Sequence, residues 1–338
     1  MEKIKKSYST LGMGYLVPYF GYMLIMIIYE IIISKTVGEG VVSGDLSIII
    51  NYAIRVLLLY PVMYLAIRKV PKFEIKKNKL GFGGFIACIC ITYAIMVICN
   101  GVGIMINNAI GRITGLGNVN PLLQTIDVIS PGVQVVVVVI LAPICEELLF
   151  RKFIVDRIVN YSEVVAMLLS GVMFGLYHGN LAQFMYAFGL GVFFAFIYIR
   201  TGKIIYTIIL HMIVNGFGTF FTKVLLGGIN MTEFMNVYSS GDSEAITEYA
   251  MEHADTFAMA GLAMLVVFAV IFAGVILMIA LHKKFVFEHH EEEIEKGKRF
   301  QVAILNPGML TYIIFWVVVI VTTQVGVNIF DSIYELFG

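Results

Sequence analysis

Long apolar runs dominate this chain of 338 residues and constrain its fold more than any other feature. A helix needs roughly 20 such residues to cross a bilayer, and a backbone in hydrocarbon must satisfy its own hydrogen bonds, which favours helices. Mean hydropathy is +0.91 and 14% of residues are charged, against about 25% in soluble domains. The sequence therefore predicts an all-α, polytopic helical membrane protein with nine spans, at 11–34, 46–67, 81–106, 133–150, 162–179, 181–199, 204–226, 256–281 and 303–328.

The distribution of lysine and arginine predicts how these spans are oriented. With the N-terminus inside and the spans alternating, nineteen of these residues fall in inside segments and three in outside segments. Cytoplasmic loops are enriched in such residues, so we expect a cytoplasmic N-terminus and a multi-pass protein of the cell membrane. Arg55 lies within the second span, where it could pair with Glu30 or extend towards the interface.

Three regions follow from this layout. Residues 1–132 form an N-terminal region of three spans, 133–226 carry the polar motifs described next, and 227–338 form an outer loop and two C-terminal spans. A net charge of zero, with no basic patch interleaved with aromatics, argues against nucleic acid as a partner. The four cysteines lie in apolar segments and suggest neither a disulfide framework nor a metal clip: Cys88, Cys90, Cys99 and Cys145.

Two adjacent carboxylates directly follow an apolar stretch. Glu146 and Glu147 come after Val133–Cys145, and charged groups in hydrocarbon are costly and usually functional. Glu147 and Arg151 are four residues apart in the order that favours a helical ion pair, so we predict a structural pair. Glu146 points about 100° away, which makes it a candidate general base. Taken alone, two solvated carboxylates at the end of a span explain the pattern slightly better.

Later spans carry two further polar motifs. Phe174 and His178 share one helical face, and His211 and Asn215 share another. Taken separately, an interfacial histidine explains the first motif and a hydrogen-bonded helix–helix contact explains the second. Together with Glu146 they supply a carboxylate, two imidazoles and a carboxamide. General-base activation of water and stabilisation of an oxyanion need this set, so we favour a catalytic site.

The depth of His178 needs a special arrangement. It lies some sixteen residues after Ser162, about 24 Å along an ideal helix, whereas Glu146 and His211 fall in the cytoplasmic half. Span five must therefore tilt, begin outside the bilayer, or turn back early, and a tight hairpin at Gly179-Asn180 would allow this.

In this order the motifs resemble those of the CPBP intramembrane proteases, a family that includes the type II CAAX prenyl proteases and the Abi proteins. The resemblance covers about 133–221 and rests on Glu146-Glu147-x-x-x-Arg151, Phe174-x-x-x-His178 and His211-x-x-x-Asn215.

The resemblance implies an all-helical membrane endopeptidase with its site in a cavity within the bilayer. Glu146 and His178 would activate the attacking water, while His211 and Asn215 would stabilise the oxyanion. The remaining motif residues would support the site: Glu147, Arg151 and Phe174.

The same resemblance bears on cofactors and partners. The family is often labelled metalloprotease, and a metal-free glutamate mechanism is the alternative view. Because the chain lacks the HExxH spacing of zinc proteases, we expect no cofactor and keep zinc as the open alternative. The expected partners are the lipid bilayer and a membrane-tethered peptide or protein, and a prenylated protein, a leader peptide and a peptide pheromone are all open. The rival function is a non-catalytic immunity protein that binds a bacteriocin or another partner.

Overall fold

The computed structural model describes residues 1–36, 42–114, 129–226 and 231–325, and within these ranges it contains helices, turns and no β-strand. The helices are α1 (Glu2–Thr36), α2 (Gly44–Ile67), α3 (Phe82–Thr114), α4 (Pro131–Tyr161), α5 (Glu163–Tyr177), α6 (Leu181–Thr201), α7 (Ile204–Leu226), α8 (Met231–Ser240), α9 (Ser243–Glu252), α10 (Ala254–Ala280), α11 (Arg299–Ala303) and α12 (Pro307–Gln324).

The predicted all-helical, multi-pass membrane architecture is confirmed. In the described part of the chain, seven helices are long and apolar enough to cross a bilayer: α1, α2, α3, α4, α6, α10 and α12. The other two of the nine predicted spans correspond to shorter apolar helices. These are α5, with 15 residues, and the Ile204–Phe220 part of α7.

Helix α4 is longer and less regular than the sequence predicted. A span was expected over 133–150, with Arg151 at the membrane interface, but the helix continues to Tyr161 and Arg151 is completely buried. Two π-helical segments, Gln134–Leu141 and Leu148–Phe153, flank the regular turns that carry the two glutamates. Such wide turns recur at functional sites because they reorient neighbouring side chains.

The long α4 removes the depth problem of His178. Helices α4 and α5 form a hairpin, in which the Ser162 hydroxyl accepts the Val165 N–H and caps α5. Along their own helices, Glu147 lies about 21 Å and His178 about 24 Å from this turn. Because α5 begins well beyond residue 150 and ends at Tyr177, the two side chains reach the same level.

A tight turn links α5 to α6 directly after His178. Gly179 has φ +66°, a left-handed conformation that side chains with a Cβ rarely adopt. The next residue, Asn180, caps α6 by accepting the Gln183 N–H at 2.9 Å. Helix α6 then packs closely against α5, since a Cβ on Gly191 would lie 2.8 Å from the Cα of Gly171. Small residues allow this approach between membrane helices.

Candidate active site

A buried ion pair occupies the centre of the candidate site. Glu147 Oε2 lies 3.0 Å from Arg151 Nε, and both side chains are 0% exposed, as the predicted spacing on α4 requires. The contact falls outside hydrogen-bond geometry, and the Arg151 guanidinium instead lies over two rings, 4.5 Å from Phe174 and 5.6 Å from Phe194. Cation–π contacts of this kind stabilise a desolvated cation. Through these two rings, the Arg151 guanidinium joins α4 to α5 and α6.

His211 connects the two glutamates. Its Nδ1 lies 2.9 Å from Glu147 Oε1, which is hydrogen-bond distance, and its Nε2 lies 3.6 Å from Glu146 Oε2. The Glu146 side chain is 18% exposed, whereas that of Glu147 is 0% exposed. The buried Glu147 thus orients the imidazole through Nδ1, and Glu146 lies near Nε2 on the more exposed side of the site.

His178 approaches the same place from the end of α5. Its Nδ1 lies 2.9 Å from the carbonyl oxygen of Phe174, so Nδ1 carries the hydrogen in the neutral ring and Nε2 presents a lone pair. The Phe174 ring lies edge-on to both imidazoles, at 4.9 Å from His178 and 5.7 Å from His211. Glu146 acts electrostatically on His178, without a direct hydrogen bond or ion pair between them. The three motifs therefore converge on one site.

Asn215 differs from its expected arrangement. Its Nδ2 donates a hydrogen bond of 2.9 Å to the Val138 carbonyl of α4. That carbonyl is free because the Ala142 N–H bonds to Val137 and the next residue, Pro143, has no N–H. One amide hydrogen of Asn215 is therefore engaged in holding α7 against α4, and the second remains for other partners.

Two residues of the site were missed by the sequence motifs. Thr207 is 0% exposed and lies beside Glu147. It precedes His211 by four residues, so extending the helical spacing one turn upstream would have found it. Phe194 of α6 lies 5.9 Å from His211, ring to ring. No spacing singles it out, because α6 carries several phenylalanines.

The histidines and glutamates of the candidate site are not arranged as a metal-binding site. Within the described ranges, no three His, Cys, Asp or Glu side chains converge closely enough to hold a metal ion. The nearest donors are already engaged, since Glu147 contacts both Arg151 and His211. These residues therefore support no metal-dependent step, and the expectation that the protein needs no cofactor stays a prediction.

Comparison with known proteins supports the resemblance drawn from the motifs. Residues 129–217 match the family model for the Type II CAAX prenyl endopeptidase Rce1-like proteins. This segment contains all three motifs. The chain is also 33% identical over 106 residues to a Bacillus subtilis (strain 168) protein named Putative membrane peptidase YdiL, covering 30% of this chain and 43% of the relative.

A second relative agrees with the first. The Membrane-embedded CAAX protease MroQ of Staphylococcus aureus (strain USA300) is 29% identical over 119 residues, covering 32% of this chain and 48% of the relative. The chain thus spans less than half the length of the curated relatives it matches. No solved structure matches it.

Proposed function

We propose that this protein is a CAAX-type intramembrane endopeptidase that hydrolyses a peptide bond in a membrane-associated protein or peptide. The observation that carries the proposal is the convergence of Glu146, His178 and His211 from three separate helices. The family match over the same segment supports the reaction class. A prenylated protein and a leader peptide are both substrates of the proposed kind.

In the proposed reaction, the Glu146 carboxylate is the general base. It takes a proton from water as the water oxygen attacks the scissile carbonyl carbon, which becomes a tetrahedral intermediate with an oxyanion. The lone pair on Nε2 of His178 accepts the second hydrogen of that water and so orients it. Glu146 then returns its proton to the leaving nitrogen as the C–N bond breaks, which yields a carboxylic acid and an amine.

Hydrogen-bond donors are needed where charge develops on the oxygen. His211 lies beside Glu146 and is held in place by Glu147, so we assign this role to its imidazolium form, in which Nδ1–H bonds to Glu147 and Nε2–H is the donor. The second amide hydrogen of Asn215, one turn away, is the other donor. The Arg151 guanidinium, enclosed by Phe174 and Phe194, positions Glu147 and does not contact the substrate.

We propose that this hydrolysis needs no bound metal. The corresponding experiment treats the purified protein with 1,10-phenanthroline and follows turnover. We expect an unchanged rate. A lost rate that zinc restores would contradict the metal-free mechanism while leaving the peptidase activity in place.

The experiment for the function compares membrane peptide fragments in cells that express the native chain or Glu146→Gln. The substitution keeps the size of the side chain and removes the base, so fragments made by the native chain should disappear. Glu30→Gln, the same change at an exposed position of α1, is the matched control and should leave them unchanged. Equal fragments with the native chain and Glu146→Gln, at equal abundance in the membrane, would contradict the proposal and favour the non-catalytic immunity protein.

A further inference from the structure

Arg55 is a cation near the middle of a membrane helix. It lies about 17 Å from either end of α2, too deep for a phospholipid headgroup to reach. It is half-buried, and the proposed reaction does not use it. A charge at this depth normally faces the protein interior, has a partner and marks a functional site.

Tyrosines surround this guanidinium. Arg55 Nε donates a hydrogen bond of 3.1 Å to the Tyr22 hydroxyl, and the guanidinium carbon lies 5.0 Å from the Tyr22 ring and 5.9 Å from the Tyr52 ring. The hydroxyls of Tyr60 and Tyr177 are further neighbours.

No carboxylate neutralises this cation within the described residues, where no ion pair includes Arg55. The pairing with Glu30 that the sequence allowed does not form, and Glu30 is exposed. A guanidinium has five N–H groups, so its hydrogen bonds to the Tyr22 and Tyr60 hydroxyls leave donor capacity for another group.

The tyrosine cluster adjoins the candidate active site. Tyr177 directly precedes His178, and its ring packs 5.3 Å from Phe150. Phe150 in turn packs 5.3 Å from Phe174, the ring between the two imidazoles.

Two further observations link the cation to the candidate active site. Tyr52 and Tyr60 are each near enough to both Arg55 and Glu146 to interact with them electrostatically. The Tyr177 hydroxyl is buried and has no hydrogen-bond partner among the described residues. A buried hydroxyl of this kind normally has a partner, and a bound ligand can supply one.

We propose that Arg55, together with the hydroxyls of Tyr60 and Tyr177, binds a carboxylate of the peptide substrate next to the bond that is cleaved. This specificity site rests on the proposed peptidase function. The planar guanidinium matches a carboxylate through two parallel hydrogen bonds, and in a site with little water such charge-assisted bonds are strong. Arg55 lies outside the family-matched segment 129–217, so the preference belongs to this chain's own N-terminal helices.

Binding is measured separately from hydrolysis, with a chain that cannot turn over the proposed substrates. Full-length Glu146→Gln protein in lipid nanodiscs is immobilised and incubated with a random acetylated octapeptide library, prepared once as C-terminal free acids and once as C-terminal amides. Retained peptides are counted by mass spectrometry. The same measurement is made in the Glu146→Gln background with Arg55→Gln, Arg55→Lys and Arg68→Gln. Arg68, exposed directly after the last residue of the same helix, is the matched control for losing one positive charge.

We expect free acids, or amides that contain Asp or Glu, to be retained at least about tenfold over neutral amides. Enrichment of all free acids identifies the terminal carboxylate, and enrichment of acidic sequences identifies a side chain. Arg55→Gln should abolish the preference, Arg55→Lys should keep part of it, and Arg68→Gln should keep all of it. No preference with intact Arg55, or a preference that survives Arg55→Gln, would overturn the proposal. If Arg55→Gln does not fold, the Arg55→Lys protein must still bind acids less well than the parent.

The two experiments distinguish failure of the proposed peptidase function from failure of the carboxylate site. If the native chain cleaves no membrane peptide but Glu146→Gln still retains acids through Arg55, the carboxylate site stands and the peptidase proposal falls. If fragments are produced by the native chain but retention ignores Arg55, only the carboxylate site falls.

Discussion

Helices α6 and α10 are both apolar enough to cross a membrane, yet they relate to the rest of the protein in opposite ways. Half of the most apolar window of α6 is buried inside the protein, against 6% for α10. Helix α6 packs against α3 and α5 and supplies Phe194 to the candidate site. Helix α10 has one buried residue, Gly274. Apolar composition therefore identifies a membrane helix, but its burial decides whether it can build a site.

The polar groups follow the same division. The core around α6 encloses Glu147 and Arg151 completely, and each contacts an opposite charge or a ring face. On α10, by contrast, the acidic Asp255 is exposed and lies in the first turn, at the N-terminal end of the helix. Burying a charge without a partner is costly, so removing one member of the core pair should have a large effect.

The largest expected effect tests this core. Arg151→Leu should lower the free energy of unfolding by about 3–5 kcal/mol, since it leaves the Glu147 carboxylate buried without its cation. Denaturant titration of the protein in mixed micelles and its abundance in membranes measure this. The matched control is Arg112→Leu, which removes an exposed arginine at the end of α3 and should change little. Normal stability with a selective loss of turnover would instead make Arg151 part of the chemistry.

A smaller effect is expected where α10 meets the rest of the protein. A Cβ on Gly274 would lie 2.1 Å from the backbone oxygen of Cys90 on α3, so Gly274→Val must push the two helices apart. We expect a loss of about 1–3 kcal/mol, as for other overpacked sites, measured by the same titration. Gly261→Val on the same helix is the control, since a Cβ there meets nothing within 4 Å. Equal effects of both substitutions would mean that α10 is not attached through Gly274.

Much of the fold and part of the site could be predicted from the sequence. A helix lies at each predicted span, because the length of each apolar run can be read directly from the sequence. The contact between Glu147 and Arg151 follows from helical spacing within one element. The continuation of α4 to Tyr161 could not be predicted, because the polar residues Arg151 and Arg157 are buried by partners that are distant in sequence.

Contacts of single side chains with residues on other helices could not be predicted either. The bond from Asn215 to Val138 depends on π-helical turns and on a proline one turn away on another helix. The contact between Arg55 and Tyr22 depends on how α1 packs against α2. Spacing within one helix carries no information on either contact.

The smallest expected effect concerns a charged cluster outside the membrane helices. Glu293 pairs with His289 and Arg299, and the hydrogen bond from His289, followed by the charge of Arg299, lowers the pKa of its carboxyl group. A lowered pKa means that the pairing stabilises the loop above the ordinary glutamate pKa of about 4.3 and is lost as the pH falls through the lower value.

Hydrogen exchange of residues 289–299 measures this effect. Measured rates are divided into the intrinsic, pH-dependent rate of an unprotected amide to give protection factors. We expect protection to fall below about pH 4 in the native chain, and to depend less on pH in Glu293→Gln, which cannot titrate. Glu291→Gln in the same segment is the control and should behave like the native chain. The same pH dependence in Glu293→Gln as in the native chain would assign it to other groups. The effect should be much smaller than that of Arg151→Leu, since Glu293 and its partners lie at the protein surface, where ion pairs keep contact with water and contribute little.

The most direct measurement of the central claim is a double-mutant cycle on turnover of a substrate identified from the membrane fragments. Glu146→Gln and His178→Ala should each lower kcat about 10²–10⁴-fold. If both side chains act on one water molecule, the double variant should be no more than about tenfold slower than the slower single variant, because groups that act as a unit are not additive. Full activity in either single variant, or losses that multiply in the double variant, would contradict a shared water between Glu146 and His178.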